Sequence, residues 1–313
     1  MNTLTTSKKP QNFYREGGRS GVVFRSDFPN KSSRPPALPV KFFSEHSART
    51  SGLIASVALL AGCASGSPLL HPAAPLPKGQ VRGVAGFSST FAVGSAAKAI
   101  SEARAHPSVA GVAVDPQFSR GALVSAALAP GVAPFFAARV GAGRGFEGGL
   151  AYTGRGARID VRKAWSIDDI SISAGVGGSA LFYGASLGGE PLPRVDLSSL
   201  RGYGFDVPLL VGWESAAGAY SAWGGVRAGF EHAQIAAVTS EQKSPPLSTG
   251  PAPLSADRAY AGGVGGVAIG LGPIHAAMEV SVSYQSIVGR YDGVRGFVGG
   301  ISVMPAGALW WRF

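Results

Sequence analysis

The feature that most constrains this chain is a side-chain alternation of period two. Between positions 203 and 214, Tyr203, Phe205, Val207, Leu209, Val211 and Trp213 fall on one face, while Gly204, Asp206, Gly212 and Glu214 fall on the other. An extended strand sends successive side chains to opposite sides, whereas a helix would scramble the two sets. Met278, Val280, Val282 and Tyr284 alternate in the same way against Glu279, Ser281, Ser283 and Gln285. So do Ile170, Ile172, Ala174, Val176, Ala180 and Phe182 against Ser171, Ser173, Gly175, Gly177 and Ser179. The same test along the chain gives ten strands, near 80–92, 131–142, 145–154, 156–166, 168–183, 202–214, 219–233, 257–271, 274–287 and 294–304.

The faces opposite the apolar rows decide the fold class. They carry Gly, Ser, Arg139, Glu147, Arg158, Asp160, Arg162, Arg227 and Glu231, which makes a polar interior and not an oily core. Apolar outside and polar inside is the pattern of a membrane barrel, which leaves no unpaired strand edge in lipid. The expectation is an all-β, antiparallel up-and-down β-barrel of about 8–10 strands spanning residues 80–313 and crossing the membrane. Composition agrees: 46 glycines and only 15% charged residues suit closely packed strands facing lipid. Arg158, Asp160, Arg162, Arg227 and Glu231 are the candidate lumen charge cluster, able to hold an anion or to plug the interior. With ten strands, side chains are expected to fill that interior.

Connection lengths give an independent check, because such barrels have long loops at one end and short turns at the other. The links after strands 1, 5, 7 and 9 (93–130, 184–201, 234–256 and 288–293) are long or medium, and those after 2, 4, 6 and 8 are short. The short link after strand 3 breaks the series. Residues 96–105, good helix formers, predict one short helix in the first long link. Pro305 is expected to interrupt the last strand, leaving the terminal residues as a separate segment.

Ahead of the barrel the chain changes character. Residues 1–39 are polar, basic and rich in Pro and Ser, with no periodicity, and read as a disordered or misassigned extension, translation then starting at Val40. Residues 40–62 combine Lys41 and Arg49 with an apolar run, 52–60, too short to span a bilayer of ~30 Å permanently, which is the layout of a signal peptide. Leu60, Ala61 and Gly62 before Cys63 resemble the lipobox of bacterial lipoproteins. That resemblance implies cleavage after Gly62, a diacylglyceryl group on Cys63 and, with Ala64 next, sorting to the outer membrane. The stretch 63–79, with Pro68, Pro72, Pro75 and Pro77, then reads as an extended lipidated tether. At the other end, Leu309, Trp310, Trp311, Arg312 and Phe313 resemble the terminal signal by which outer-membrane assembly machinery recognises barrels. That implies Phe313 as its contact.

Several function classes are excluded or weak. The formal charge of +10 is uneven: residues 1–62 carry nine Lys/Arg against three Asp/Glu, and residues 63–313 carry nineteen against fifteen, spread singly. No basic stripe or recognition helix follows, so no nucleic acid partner is expected. The lone cysteine rules out an intrachain disulfide and a multi-cysteine metal site. His46, His71, His106, His232 and His275 lack ligand spacing, so neither metal nor cofactor is expected. Ser186 sits in a G-x-S-x-G pattern, but Gly189, Glu190, Pro191 and Pro193 forbid the helix that a nucleophile elbow needs. The sequence therefore predicts a non-enzymatic outer-membrane lipoprotein with a structural, adhesive or small-ligand-binding role. A soluble lipid-anchored sandwich or lipocalin-like domain is the first alternative, a membrane-embedded lipid hydrolase the second. The direction of Tyr203, Phe205, Leu209 and Trp213 separates the first two.

Overall fold

The structure, a computed structural model, describes residues 67–108, 113–182, 192, 194–236 and 252–313. Ten antiparallel strands close into a barrel: β1 (Val81–Val93), β2 (Gly131–Gly143), β3 (Phe146–Tyr152), β4 (Gly156–Ile167), β5 (Ile170–Leu181), β6 (Arg201–Glu214), β7 (Tyr220–Ile235), β8 (Leu254–Leu271), β9 (Ile274–Tyr291) and β10 (Val294–Arg312). Each pairs with its sequence neighbour, and β1 closes on β10. Every ladder is therefore satisfied within the wall, which is what lipid demands of strands. The C-terminal residue completes the seam: the Phe313 N–H donates to Val81 O at 2.9 Å, and the Val81 N–H donates to Phe313 O at 3.2 Å.

All ten expected strands are present. The last one differs in length, because β10 runs unbroken through Pro305. Pro305 pairs with Val280 on β9, while on the β1 side partners are found at Ser88 with Ala306 and at Phe91 with Val303, but not at the two positions between. The missing N–H falls where no ladder bond is made, so the proline is accommodated.

The face question is answered by exposure. Tyr203 is 60% exposed, Leu209 48% and Trp213 45%, while Asp206 beside them is buried. Val280, Val282, Tyr284, Ile159, Val176 and Ile269 also point outward, and their neighbours Glu279, Asp160 and Arg158 point inward. Outward aromatic rings gather near both rims. Phe146, Trp165, Tyr220 and Phe313 lie toward the end that holds the termini, and Phe91, Tyr152, Phe182, Tyr203 and Phe297 toward the other. Two aromatic girdles flanking an aliphatic band match the two interfaces of a bilayer. β8 and β9, at 18 residues each, and β10, at 19, exceed the ~9–11 that a tilted strand needs to cross. This is a barrel turned inside out relative to a soluble one, and it spans the membrane with strands.

The turns at the end holding the termini (144–145, 168–169, 215–219 and 272–273) are short. The opposite end, called here the loop end, carries the long links. The first of these holds two helices where one was expected: α1 (Ser95–Ala105) and α2 (Pro116–Leu128). The overlooked helix had a start signal in Asp115-Pro116: the Asp115 carboxylate accepts from the Gln117 N–H at 2.7 Å and the proline takes the first helical position. Ala129 at φ 39° and Pro130 end it.

Candidate functional site

The lumen is where this chain gathers its chemistry, and two segments besides the wall fill it. From the loop end, α2 buries Phe118, Leu123, Val124 and Leu128 against Leu181, Leu254, Ile287 and Tyr291 of the wall. Gly121 lets α1 approach, since a Cβ there would overlap Ala103 and the Ala99 carbonyl. The carbonyls at the C-terminus of α2 are received by arginines. Arg155 donates to Ala126 O at 2.6 Å and to Ala127 O at 3.2 Å, and Arg258 donates to Ala127 O at 3.2 Å. Cations at that helix end satisfy its unpaired carbonyls and oppose its dipole.

From the end of the termini, residues 67–79 enter the lumen. Of the stretch expected as a tether, residues 67–76 run inside the barrel, mostly buried, and 77–79 are exposed. Leu69, Leu70 and Ala73 are buried with Trp223, Trp310, Phe135 and Leu210. The prolines that suggested an exposed linker instead keep the segment extended and remove N–H groups that have no acceptor inside. The remaining main-chain groups meet charges of the wall. Glu279 accepts from the Leu69 and Leu70 N–H groups, each at 2.7 Å, and from Trp223 Nε1 at 3.0 Å. Glu147 accepts from the Leu76 N–H at 3.0 Å. Arg162 donates to Pro72 O at 2.6 Å and to Ala74 O at 3.1 Å, and Arg227 donates to Ser67 O. Gly141 lets the segment pass close against β2, because a Cβ on it would overlap the carbonyl oxygens of Leu76 and Pro77.

Between and behind these segments runs a continuous ion network. Arg227 Nε reaches Asp206 at 3.0 Å, and Arg158 grips the same carboxylate with two bonds at 2.9 and 3.0 Å. Arg158 also pairs with Asp160, which Arg139 holds through bonds at 2.6 and 3.1 Å. Arg139 pairs in turn with Glu147, which Arg162 meets at 2.8 Å. Glycines set the reach of these side chains. Gly177 on β5 separates Arg158 on β4 from Asp206 on β6, and a Cβ there would come within 2.7 Å of the Arg158 guanidinium carbon. Gly149 does the same for Arg139 and Asp160.

Four of the five expected cluster residues, Arg158, Asp160, Arg162 and Arg227, belong to this network. Glu231 does not: it pairs with Arg258 at 2.9 Å, nearer the loop end. Asp206 and Glu279 complete the arrangement. Both were visible as inward-facing positions, but only the register shows which arginine or backbone group each one serves. Arg82, fully buried, lies 5.1 Å over the Trp310 ring. Cys63, Leu60, Ala61, Gly62 and Ser186 lie outside the described residues, as do 1–39 and 40–62.

His71 supplies a pH-sensitive contact in the entering segment. Arg162 Nη1 donates to its Nδ1 at 2.8 Å, so the imidazole must be neutral to accept. Burial, with Arg139, Arg162 and Arg82 around it, holds its pKa well below the ordinary 6.5. Protonation is therefore easier when the segment is out, and this group's contribution is present above the ordinary imidazole range and lost as pH falls through it. Acidification from about pH 7 to about pH 5 is expected to loosen residues 67–78, read as a change in Trp223 and Trp310 fluorescence. His71→Gln, which keeps an acceptor but does not titrate, is expected to flatten that change. A response of equal size in the variant would show another group to be responsible.

What remains open in the lumen is small. Two adjoining polar cavities, of about 40 and 20 Å³, lie near Ser67, Arg227, Glu231 and Tyr260. They have room for a few waters and no more. Buried oxygens on Ser67, Thr90, Ser281 and Gln285 have no protein partner there, consistent with hydration. Among the described residues no group of three His, Cys, Asp or Glu is placed to hold a metal ion.

No protein-family model matches the chain. No curated protein matches it either. Among solved structures it is similar to Neisserial surface protein A, at 9% identity and a TM-score of 0.30, over 75% of this chain and 96% of that one. It is also similar to the Yersinia pestis outer membrane protein Ail in a phospholipid bilayer nanodisc, at 14% identity and a TM-score of 0.26, over 75% of this chain and 100% of that one. Identities and TM-scores this low assign no activity. On its own geometry, the chain is a ten-stranded β-barrel of outer-membrane type whose lumen is filled from both ends.

Proposed function

We propose that this protein is a non-enzymatic outer-membrane lipoprotein whose barrel is a rigid base for a structural or adhesive surface at its loop end. The observation that carries this reading is the combination of a lipid-facing exterior with a filled interior. The two polar cavities found in the lumen among the described residues, about 40 and 20 Å³, are far smaller than the ~300 Å³ or more that a drug-sized ligand takes. The work of such a barrel falls to the end that carries the long links. In this reading Cys63 carries a diacylglyceryl group, Leu60, Ala61 and Gly62 direct its cleavage, and Phe313 engages the assembly machinery. The pairing of Phe313 with Val81 at the seam supports a terminal residue read as the barrel closes.

Two measurements on native cells test the parts separately. Labelled palmitate is expected on the wild-type protein and not on Cys63→Ala; label on both would remove Cys63 from the reading. An epitope inserted within 237–251, between β7 and β8, is expected to be stained on intact cells. Staining only after permeabilisation would put the loop end inside and end the surface role.

A further inference from the structure

The contacts of residues 67–78 have an unusual character, because the wall reads the main chain of this segment more than its side chains. The Glu279 carboxylate takes two consecutive N–H groups, Glu147 takes a third, and Arg162 and Arg227 take the carbonyls of positions 67, 72 and 74. Recognition through the backbone gives affinity with loose sequence demands, and specificity comes from what few side chains are pocketed. Here Leu69, Leu70 and Ala73 are set among Trp223, Trp310, Phe135 and Leu210, and His71 and Leu76 are buried beside the charged residues of the wall.

The segment also stands apart from the wall. It belongs to no strand, and all ten ladders, including the β1–β10 seam, close without it. Arg162, Arg227 and Glu147, which hold part of it, stay paired within the wall through Arg139, Arg158, Asp160 and Asp206, whereas Glu279, in no ion pair among the described residues, would be left with two acceptor sites open to an incoming backbone. Glu279 keeps its bond from Trp223. At the loop end α2 packs against the wall, so an incoming segment would enter from the end of the termini.

We propose that the lumen is a binding groove for an extended, proline-bearing polypeptide. Residues 67–78 occupy it in cis and exchange with a segment of the same chemistry presented from the end of the termini. The lipoprotein reading above adds a reason for the segment to leave. Cys63 is four residues from Ser67, at most ~14 Å of chain, while Ser67 is held by Arg227, midway along β7. A lipid on Cys63 that lies in the bilayer therefore draws the segment out and vacates the groove.

The test is independent of lipid. A Cβ placed on Gly212 would lie 3.1 Å from the Ala73 Cβ, so a shift of a few tenths of an ångström in the segment brings the pair into the ~3.5–4.5 Å range of a disulfide staple. The full chain carrying Cys63→Ala, Ala73→Cys and Gly212→Cys is refolded in detergent and mixed with a fluorescent synthetic peptide of the 67–78 sequence. Heat-modifiable gel migration confirms that the barrel has formed. The staple is expected to close on oxidation and to exclude the peptide, and reduction is expected to raise peptide affinity by at least about ten-fold. A peptide with aspartate in place of Leu69 and Leu70 is expected not to bind. Failure of the staple to form in a folded barrel, or equal peptide binding before and after reduction, would overturn the proposal.

Discussion

Replacing Asp206 with alanine is expected to destabilise the barrel by about 3–5 kcal/mol, the usual result of removing one partner from a buried ion pair. Asp206 alone bridges Arg158 and Arg227, and all three side chains are at least nine-tenths buried. Its loss leaves two guanidinium groups competing for what remains, Asp160 and the Ser67 carbonyl, in a space too small to hydrate them. Equilibrium unfolding in urea from lipid vesicles measures it, with Asp257→Ala as the control. Asp257 is a pair partner too, of His232 at 2.7 Å, but its side chain is 51% exposed and its loss should cost less than about 1 kcal/mol. Similar costs for the two would mean that the lumen is wetter and less closely packed than described.

A second large effect is expected on the outside. Leu209 lies near the middle of β6, points away from the lumen and is half exposed. On a soluble protein, arginine at so exposed a site would change stability by no more than about 0.5 kcal/mol. In a bilayer, Leu209→Arg is expected to cost about 2–4 kcal/mol, the range for a basic residue at the midplane of a lipid-facing strand. The same unfolding measurement in vesicles reads it. A neutral result would place this face in water and return the chain to a soluble barrel.

How much of this was legible in the sequence follows from which interactions are periodic. Strand alternation repeats every two residues and depends only on which face meets lipid, so all ten strands and their inward charges could be read from Tyr203, Met278 and their neighbours outward. Pro305 misled because the cost of a missing N–H depends on the partner strand, and the register between β1 and β10 is not written in β10. The path of residues 67–76 was not legible for a similar reason. Their prolines and small residues describe an extended chain, which suits an exposed tether and a threaded lumen equally. What distinguishes them is Glu279, two hundred residues away, whose carboxylate supplies the acceptors. α2 was hidden differently, since its apolar residues surround it and give no clear helical stripe, although Asp115 and Pro116 marked its start. Within the site, the charged residues were readable one by one, but their partners were not. Gly177 and Gly149 determine which strands an arginine can reach across, and that requires knowing which residues stand opposite.

The most direct test of the central claim, that the strands themselves hold this protein in the membrane, is extraction of membranes containing the Cys63→Ala variant. The account predicts that this variant resists high pH and urea and migrates differently on gels before and after heating, because a closed barrel with an apolar exterior needs no lipid to stay. Release of the variant into the soluble fraction, with identical migration heated and unheated, would contradict it.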